Sequence, residues 1–351
     1  MKYMLTMNKN HTFVIAEAGS NWKCGSYEDD LFQAKQLIDI ASSSGADAVK
    51  FQTFRSESVY VENAGNIGYL KNYTNSDINT IFKNLEMPYE MIPELYKYWQ
   101  QKKIIFMSTP FSIDDAKIID KYTPIHKLAS YEINHVRLLE FLSKTKKPIL
   151  ISTGASNVAE IDFAVQLIKQ NGNNSIGVMQ CTAKYPAPIE SLNISVISFF
   201  KKKYGCSVGL SDHSVDPVMA PILAVAMGAT IIEKHFTVDR NLNGPDHKFA
   251  LIPNELKQMI NAIRLAEKAK GNGIKNVLDV EIELQNFAKR SIQAISDIVE
   301  NDLLIENVNI GVLRPGNKKR GSESRFLNEI IGKKARNSIK QGDGVTLQDC
   351  K

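Results

Sequence analysis

Two histidines stand where apolar runs end. Residues 207–210 lead into Ser211, Asp212 and His213, and residues 230–232 lead into Glu233, Lys234 and His235. Short apolar runs of this kind read as buried strands, so both imidazoles are predicted at a strand's carboxyl end. They are 22 residues apart, room for one helix between neighbouring parallel strands. Two such imidazoles can share one divalent cation and leave positions open for water and substrate. Unconnected, they would be two structural histidines, and the surrounding elements decide between these readings.

Six further runs precede them: 13–19 (FVIAEAG), 48–54 (AVKFQTF), 105–110 (IFMSTP), 125–130 (IHKLAS), 148–154 (PILISTG) and 176–182 (IGVMQCT). Segments with apolar residues at three- and four-residue spacing follow them, among them 30–44, 160–169, 217–227 and 253–269. Alternating strands and helices imply a parallel sheet, and eight repeats imply closure into a (β/α)8 TIM barrel. An open doubly wound sheet is the other architecture, but no G-x-G-x-x-G follows the first strand. The connection 55–102 is long. It opens polar and irregular, turns helical near 88–99, and predicts a lid or substrate wall over the catalytic face.

The 351 residues allow one large core and a small second domain. No 18-residue apolar run exists and the amino terminus lacks a signal-like centre, which predicts a cytoplasmic protein without membrane association. Cys24, Cys181, Cys206 and Cys350 show no C-x-x-C spacing and read as free thiols. Of 43 basic and 38 acidic residues, twelve and eight lie in 285–351, so most of the positive excess sits in the tail. Acidic residues are interspersed there and no aromatic platform accompanies them, which argues against nucleic acid. The organisation reads as a catalytic barrel over 1–270, a linker over 271–284, and a small β-rich domain over 285–351. Strand-like runs are predicted at 290–294, 308–312 and 344–347, with a helix-like 325–331. About 65 residues with few aromatics are marginal alone, so this domain should dock on something.

In order along the chain stand IAEAGSN, VKFQTF, STPF, KLASYEINH, STGAS, GLSDHS, EKHFTVDRNLNGPDHKFAL and RPGNKKRG. Together these motifs resemble the sialic acid synthase family, over nearly the whole chain. The resemblance implies condensation of phosphoenolpyruvate with an N-acylated hexosamine, giving a nine-carbon 2-keto sugar acid. It also implies a barrel followed by an antifreeze-like SAF domain, and a domain-swapped homodimer in which Arg314 approaches the partner's sugar. The family often has asparagine at Ala183 and histidine at Trp22, changes expected at the barrel mouth. Other readings are a metal-dependent aldolase or 3-deoxy-sugar-acid synthase, and a carbohydrate-binding relative without turnover.

The residues supply what that chemistry asks for. Lys50 and Lys127 interrupt apolar strands, where a buried ammonium must face an anion. Thr109, Ser130, Ser152 and Ser211 are hydroxyls at the same strand ends. By resemblance, with Gln52, all of these form the phosphoenolpyruvate pocket. Glu132 lies just past Lys127 and Ser130 and is the candidate general acid or base; its plainer role is a helix's first-turn acid. Glu17, Asp246 and Tyr185 are candidates for the sugar. A divalent ion on His213 and His235, manganese before magnesium or cobalt, would act as a Lewis acid on the aldehyde. His126 and His135 read as structural, His247 as a turn cap, and His11 as part of a mobile terminus.

Overall fold

The computed structural model describes residues 11–66, 68–71 and 74–351. The chain divides into two compact units, Met1–Gly271 and Asn272–Lys351. The segment 272–284, read above as a linker, therefore groups with the second unit. It holds a 3-10 turn at Asp279–Glu281 and runs into a helix at Ile282–Ala288.

In the first unit the strands are β1 (Phe13–Gly19), β2 (Ala48–Thr53), β3 (Ile105–Pro110) and β4 (His126–Leu128), then β5 (Ile149–Ser152), β6 (Ile176–Cys181), β7 (Ser207–Asp212) and β8 (Ile231–His235). They form one parallel sheet in the order β3-β2-β1-β8-β7-β6-β5-β4. Its two ends, β3 and β4, pack side by side, which gives the predicted (β/α)8 barrel. No backbone ladder joins that pair among the described residues. β7 and β8 run further than their apolar residues alone suggested.

Side chains alternate along a strand, so every second residue points into the barrel. Phe13, Ile15, Ala48, Met107, Ile125, Leu150, Met179 and Ile231 make a buried cluster inside the barrel. Two residues on from Ile15, Ala48, Met107, Ile125, Leu150, Met179 and Ile231 stand Glu17, Lys50, Thr109, Lys127, Ser152, Cys181 and Glu233. On β7 the lower position is Gly209 and the upper one Ser211. The inner face thus changes from apolar to polar within one step of the pleat on all eight strands. The opposite faces, such as Val14, Phe51, Phe106, Ile151 and Ile232, join the helices in the main core.

Helix starts follow the local chemistry. Ser26 and Asp29 form a capping box ahead of Tyr27–Ser44, and Asn157 with Glu160 does the same for Val158–Gln170. The insertion between β2 and β3 carries helices Gly68–Lys71, Ile78–Asn84 and Met91–Trp99. Ile78–Asn84 lies where an irregular polar stretch was expected. Asp77 caps it, accepting from the Asn79 amide at 2.9 Å, and its Ile78 and Ile81 join Phe54, Leu70 and Leu85 in a separate apolar cluster.

The second unit pairs β9 (Ser291–Ala294) with β10 (Ile310–Leu313) antiparallel, around a core that includes Ile292, Leu304, Ile310, Ile330, Ala335 and Val345. The expected strand at 344–347 is absent. Gly344 makes a single bridge to Gln293, and a 3-10 turn follows at Leu347–Asp349. The backbones approach closely at this point: a β-carbon on Gly321 would lie 1.9 Å from the Ile292 carbonyl, and one on Gly344 would lie 2.1 Å from the Gly321 nitrogen. Val345 donates to the Ile292 carbonyl and Ala294 to the Asp343 carbonyl, so the pairing is confined to this one position. No helix among the described residues is long and apolar enough to cross a membrane.

Candidate active site

The upper, polar halves of the strands surround a cavity of about 530 Å³. Its lining includes Glu17, Lys50, Gln52, Thr109, Lys127, Ser130, Glu132, Ser152, Tyr185, Ser211, His213, His235 and Asp246. Every site residue predicted in the first unit is therefore brought to one space. Arg314 lies in the second unit, exposed, directly after β10.

At the cavity floor four charges are locked together. Lys50 Nζ sits 2.7 Å from Glu17 Oε2 and 3.8 Å from Glu233 Oε2, and donates to Thr109 Oγ1 at 2.9 Å. Lys127 Nζ donates to Ser152 Oγ at 2.7 Å and lies 3.4 Å from Glu233 Oε1. Gln52 Nε2 donates to Glu17, and Ser211 Oγ to Glu233. None of the four charged residues is more than 5% exposed. A lone charge there would cost several kcal/mol, so two lysines require two carboxylates until an anion replaces one.

Burial lifts the Glu17 carboxyl to about 7 against the pull of Lys50. Burial also works against ionised Glu233, but Lys127 and Lys50 outweigh it and hold that group at about 2. For Lys50, burial is outweighed by Glu17 and Glu233, and its pKa rises; for Lys127, burial prevails and its pKa falls.

Glu233 was missed by reading strand eight as ending at residue 232. Carried on to His235, the same alternation puts Glu233 and His235 on one inner face.

Above the floor, the His213 and His235 ring centroids are 5.5 Å apart, with Tyr185 4.2 Å from the first and 6.3 Å from the second. His213 Nδ1 bonds the Thr182 carbonyl at 2.9 Å, which fixes the tautomer and leaves Nε2 with its lone pair. His235 Nδ1 is buried without a hydrogen-bond partner and lies 3.8 Å from Asp246 Oδ2, while burial lowers the ring's pKa to about 4. Asp246 also accepts from Ser20 Oγ at 3.0 Å. His213 is shifted the other way, its pKa raised against burial by the Cys181 thiol and the Thr182 carbonyl. Two buried imidazoles facing one space suit a divalent ion. Among the described residues no group of three or more His, Cys, Asp and Glu converges, so further ligands would be water or substrate.

Glu132 ends the 3-10 turn Ser130–Glu132 after β4, and burial alone raises its pKa to about 7. Ser130 Oγ accepts from the Gly154 amide at 2.9 Å.

The remaining histidines have structural partners. His126 bonds Asp120, His135 caps its helix at Leu138, and His247 bonds the Thr237 hydroxyl at 2.6 Å. His11, expected to be mobile, bonds Asp47 at 2.7 Å. Trp22 is not among the residues that line the cavity: it is 1% exposed and part of the main core.

Residues 37–275 match the model of the NeuB family. The chain belongs to the NeuB family. It is 39% identical over 355 residues to the spore coat polysaccharide biosynthesis protein SpsE of Bacillus subtilis, covering 96% of this chain and 93% of that protein. It is 35% identical to the N,N'-diacetyllegionaminic acid synthase of Campylobacter jejuni, covering 95% and 98%. Among solved structures it resembles the N-acetylneuraminic acid synthetase of Leptospira borgpetersenii in complex with citrate, at TM-score 0.70 and 33% identity over 79% of this chain and 92% of that one. This NeuB-family chain is thus an enzyme of the sialic, legionaminic and pseudaminic acid synthase type.

Proposed function

We propose that this enzyme condenses phosphoenolpyruvate with the open-chain aldehyde of an N-acylated hexosamine, releasing a nine-carbon 2-keto sugar acid and phosphate. The observation that carries this is the floor, where two buried lysines and four strand-end hydroxyls crowd a space that also holds Glu132 and two buried histidines. Phosphoenolpyruvate brings a carboxylate and a phosphate. Lys50 and Lys127 would bind them with Thr109, Ser130, Ser152, Ser211 and Gln52, and the incoming charge would compete with Glu17 and Glu233 for the ammonium groups.

His213 and His235 would hold a divalent cation, manganese being the first choice, which supplies Lewis acidity toward the aldehyde oxygen. The enol carbon C3 bonds to the aldehyde carbon, and the carbonyl electron pair moves to its oxygen. Glu132, partly protonated near neutral pH, gives that oxygen its proton. C2 is left electron-poor. Water adds there, losing one proton to the Glu132 carboxylate, and the C2–O bond to phosphate then breaks as the new C2 hydroxyl passes its proton to the departing phosphate and becomes the ketone. Glu17 and Asp246 would hold sugar hydroxyls, with Tyr185 alongside.

Phosphate release that requires both phosphoenolpyruvate and an N-acyl hexosamine tests this directly. Release with arabinose 5-phosphate alone, or a borohydride-trapped imine with pyruvate, would point to the other barrel chemistries.

The unit 272–351 would be an SAF-type lid whose Arg314 reaches the sugar in the other subunit of a homodimer. Subunit exchange between Arg314→Ala and His235→Ala proteins, each inactive alone, should then restore activity in hybrid dimers. No recovery after verified exchange would exclude action in trans.

A further inference from the structure

The helix-facing sides of β7 and β8 carry a second buried polar group, outside the cavity. Leu210 and Ile232 lie opposite each other in the two strands and belong to the main core, as a helix-facing pair should. Two residues on, Asp212 lies opposite Lys234 on the same face. Neither lines the cavity, and with Ser214 they are at most 2% exposed. The Lys234 ammonium meets Asp212 Oδ2, and also donates to the Ser214 carbonyl at 2.7 Å and the Ser214 hydroxyl at 3.2 Å. Asp212 Oδ1 in turn accepts from the Ser214 amide at 2.8 Å. The ion pair thus closes on both backbone groups of the residue that follows His213. The reaction proposed above uses neither charge.

We propose that Lys234 and Asp212 are positioning residues that aim His213 at His235 and so set the affinity of the histidine pair for its cation. This rests on the proposed assignment of that pair to a divalent ion. β7 ends at Asp212, so His213 stands one residue past the ladder. Its carbonyl accepts from the Ala187 amide at 3.0 Å and its ring from or to the Thr182 carbonyl, but both partners belong to the segment after β6. The Ser214 clamp ties it instead to β8, through the residue that precedes His235. Fixing the peptide plane after His213 fixes that residue's ψ, and with it the line along which the imidazole leaves the backbone. Stability alone does not call for the charges: a buried ion pair is often no better than an apolar pair of similar shape, and the rest of this face is apolar. Direction is what an apolar pair would not supply. Groups that orient a metal-binding side chain are typically worth about 10- to 100-fold in metal affinity.

The test is Mn2+ binding to the full-length protein without substrates, read from the paramagnetic resonance of the free ion, beside urea unfolding of the same samples. Lys234→Met leaves Asp212 buried alone, and should lower the unfolding midpoint and weaken Mn2+ binding by about 10- to 100-fold. Combining Asp212→Asn with Lys234→Met leaves no charge unpaired, and the asparagine keeps an acceptor for the Ser214 amide. That double variant should regain most of the unfolding midpoint while its Mn2+ affinity stays at least about tenfold below wild type, because nothing then holds the Ser214 carbonyl. Wild-type Mn2+ affinity in the folded double variant, or in folded Lys234→Met, overturns the positioning role and leaves the pair a packing element. Mn2+ binding that survives His213→Ala unchanged overturns the histidine assignment itself, and the positioning role with it.

Discussion

The lower and upper halves of the barrel interior are built by the same strands, in the same register, two residues apart. Below, Ile15, Met107, Leu150 and Ile231 are fully buried and touch only one another and their like. Above, Glu17, Lys50, Lys127 and Glu233 are almost as buried, and hold each other through ion pairs and hydroxyls. The difference is how each half reaches a favourable state. The apolar half is complete in the protein alone, through packing that no ligand alters. The polar half has mutually compensating charges with shifted pKa values, an arrangement that exchange for a substrate anion can improve. One pleat therefore separates a region selected for stability from one poised for binding.

Breaking the upper half should have the largest effect. His213→Ala or His235→Ala should lower turnover at least about a thousandfold, and chelation should do the same to the native protein until Mn2+ or Mg2+ is added. Full turnover in a rigorously metal-free sample would contradict the assigned pair. In the lower half, Leu150→Ala should instead destabilise the fold by about 2–5 kcal/mol in urea unfolding while leaving the pH dependence of kcat/KM unaltered.

Glu132→Gln should slow the chemical step roughly 100-fold and leave phosphoenolpyruvate affinity nearly intact. It should also remove a decline in wild-type kcat/KM as pH rises through about 7, where the proton donor is lost. A change confined to KM would make the residue a binder.

The smallest effect is on stability and has the opposite sign. The folded-state pKa of Glu132 is raised from 4.5 to about 7, so folding is penalised as pH rises through that window. Glu132→Gln should therefore be more stable than wild type at pH 8 by roughly 1–2 kcal/mol and no more stable at pH 4. Equal unfolding midpoints at both pH values would show that Glu132 is not strained by burial.

The sequence made the barrel legible because all eight strands carry apolar residues on the helix-facing side, and the helices between them carry recognisable caps. It made Lys50 and Lys127 legible because a lysine among apolar neighbours is conspicuous. Glu233 escaped because it follows the apolar run rather than interrupting it, and the strand continues through three polar residues that only pairing with β1 and β7 reveals. Trp22 stays out of the cavity because proximity to β1 in sequence says nothing about side-chain direction: the turn after Gly19, at φ +54°, is followed by a tryptophan packed into the main core. The helix Ile78–Asn84 was hidden by its polar flanks, since its apolar residues meet the insertion's own cluster and not the barrel. The 344–347 run looked like a strand by composition, but its pairing ends after one bridge to Gln293 because Thr346 caps the 3-10 turn Leu347–Asp349.

The junction between β3 and β4 has a consequence for motion. A barrel whose hydrogen-bond girdle is interrupted at one point is a slit cylinder, and the least costly opening is at the slit. The amides of β4, only three residues long, should exchange with solvent sooner than those of β1 or β8, which are paired on both sides. Lys127 sits on that edge and the Ser130–Glu132 turn directly follows it. Breathing of the seam would loosen the anion grip and the proton donor together.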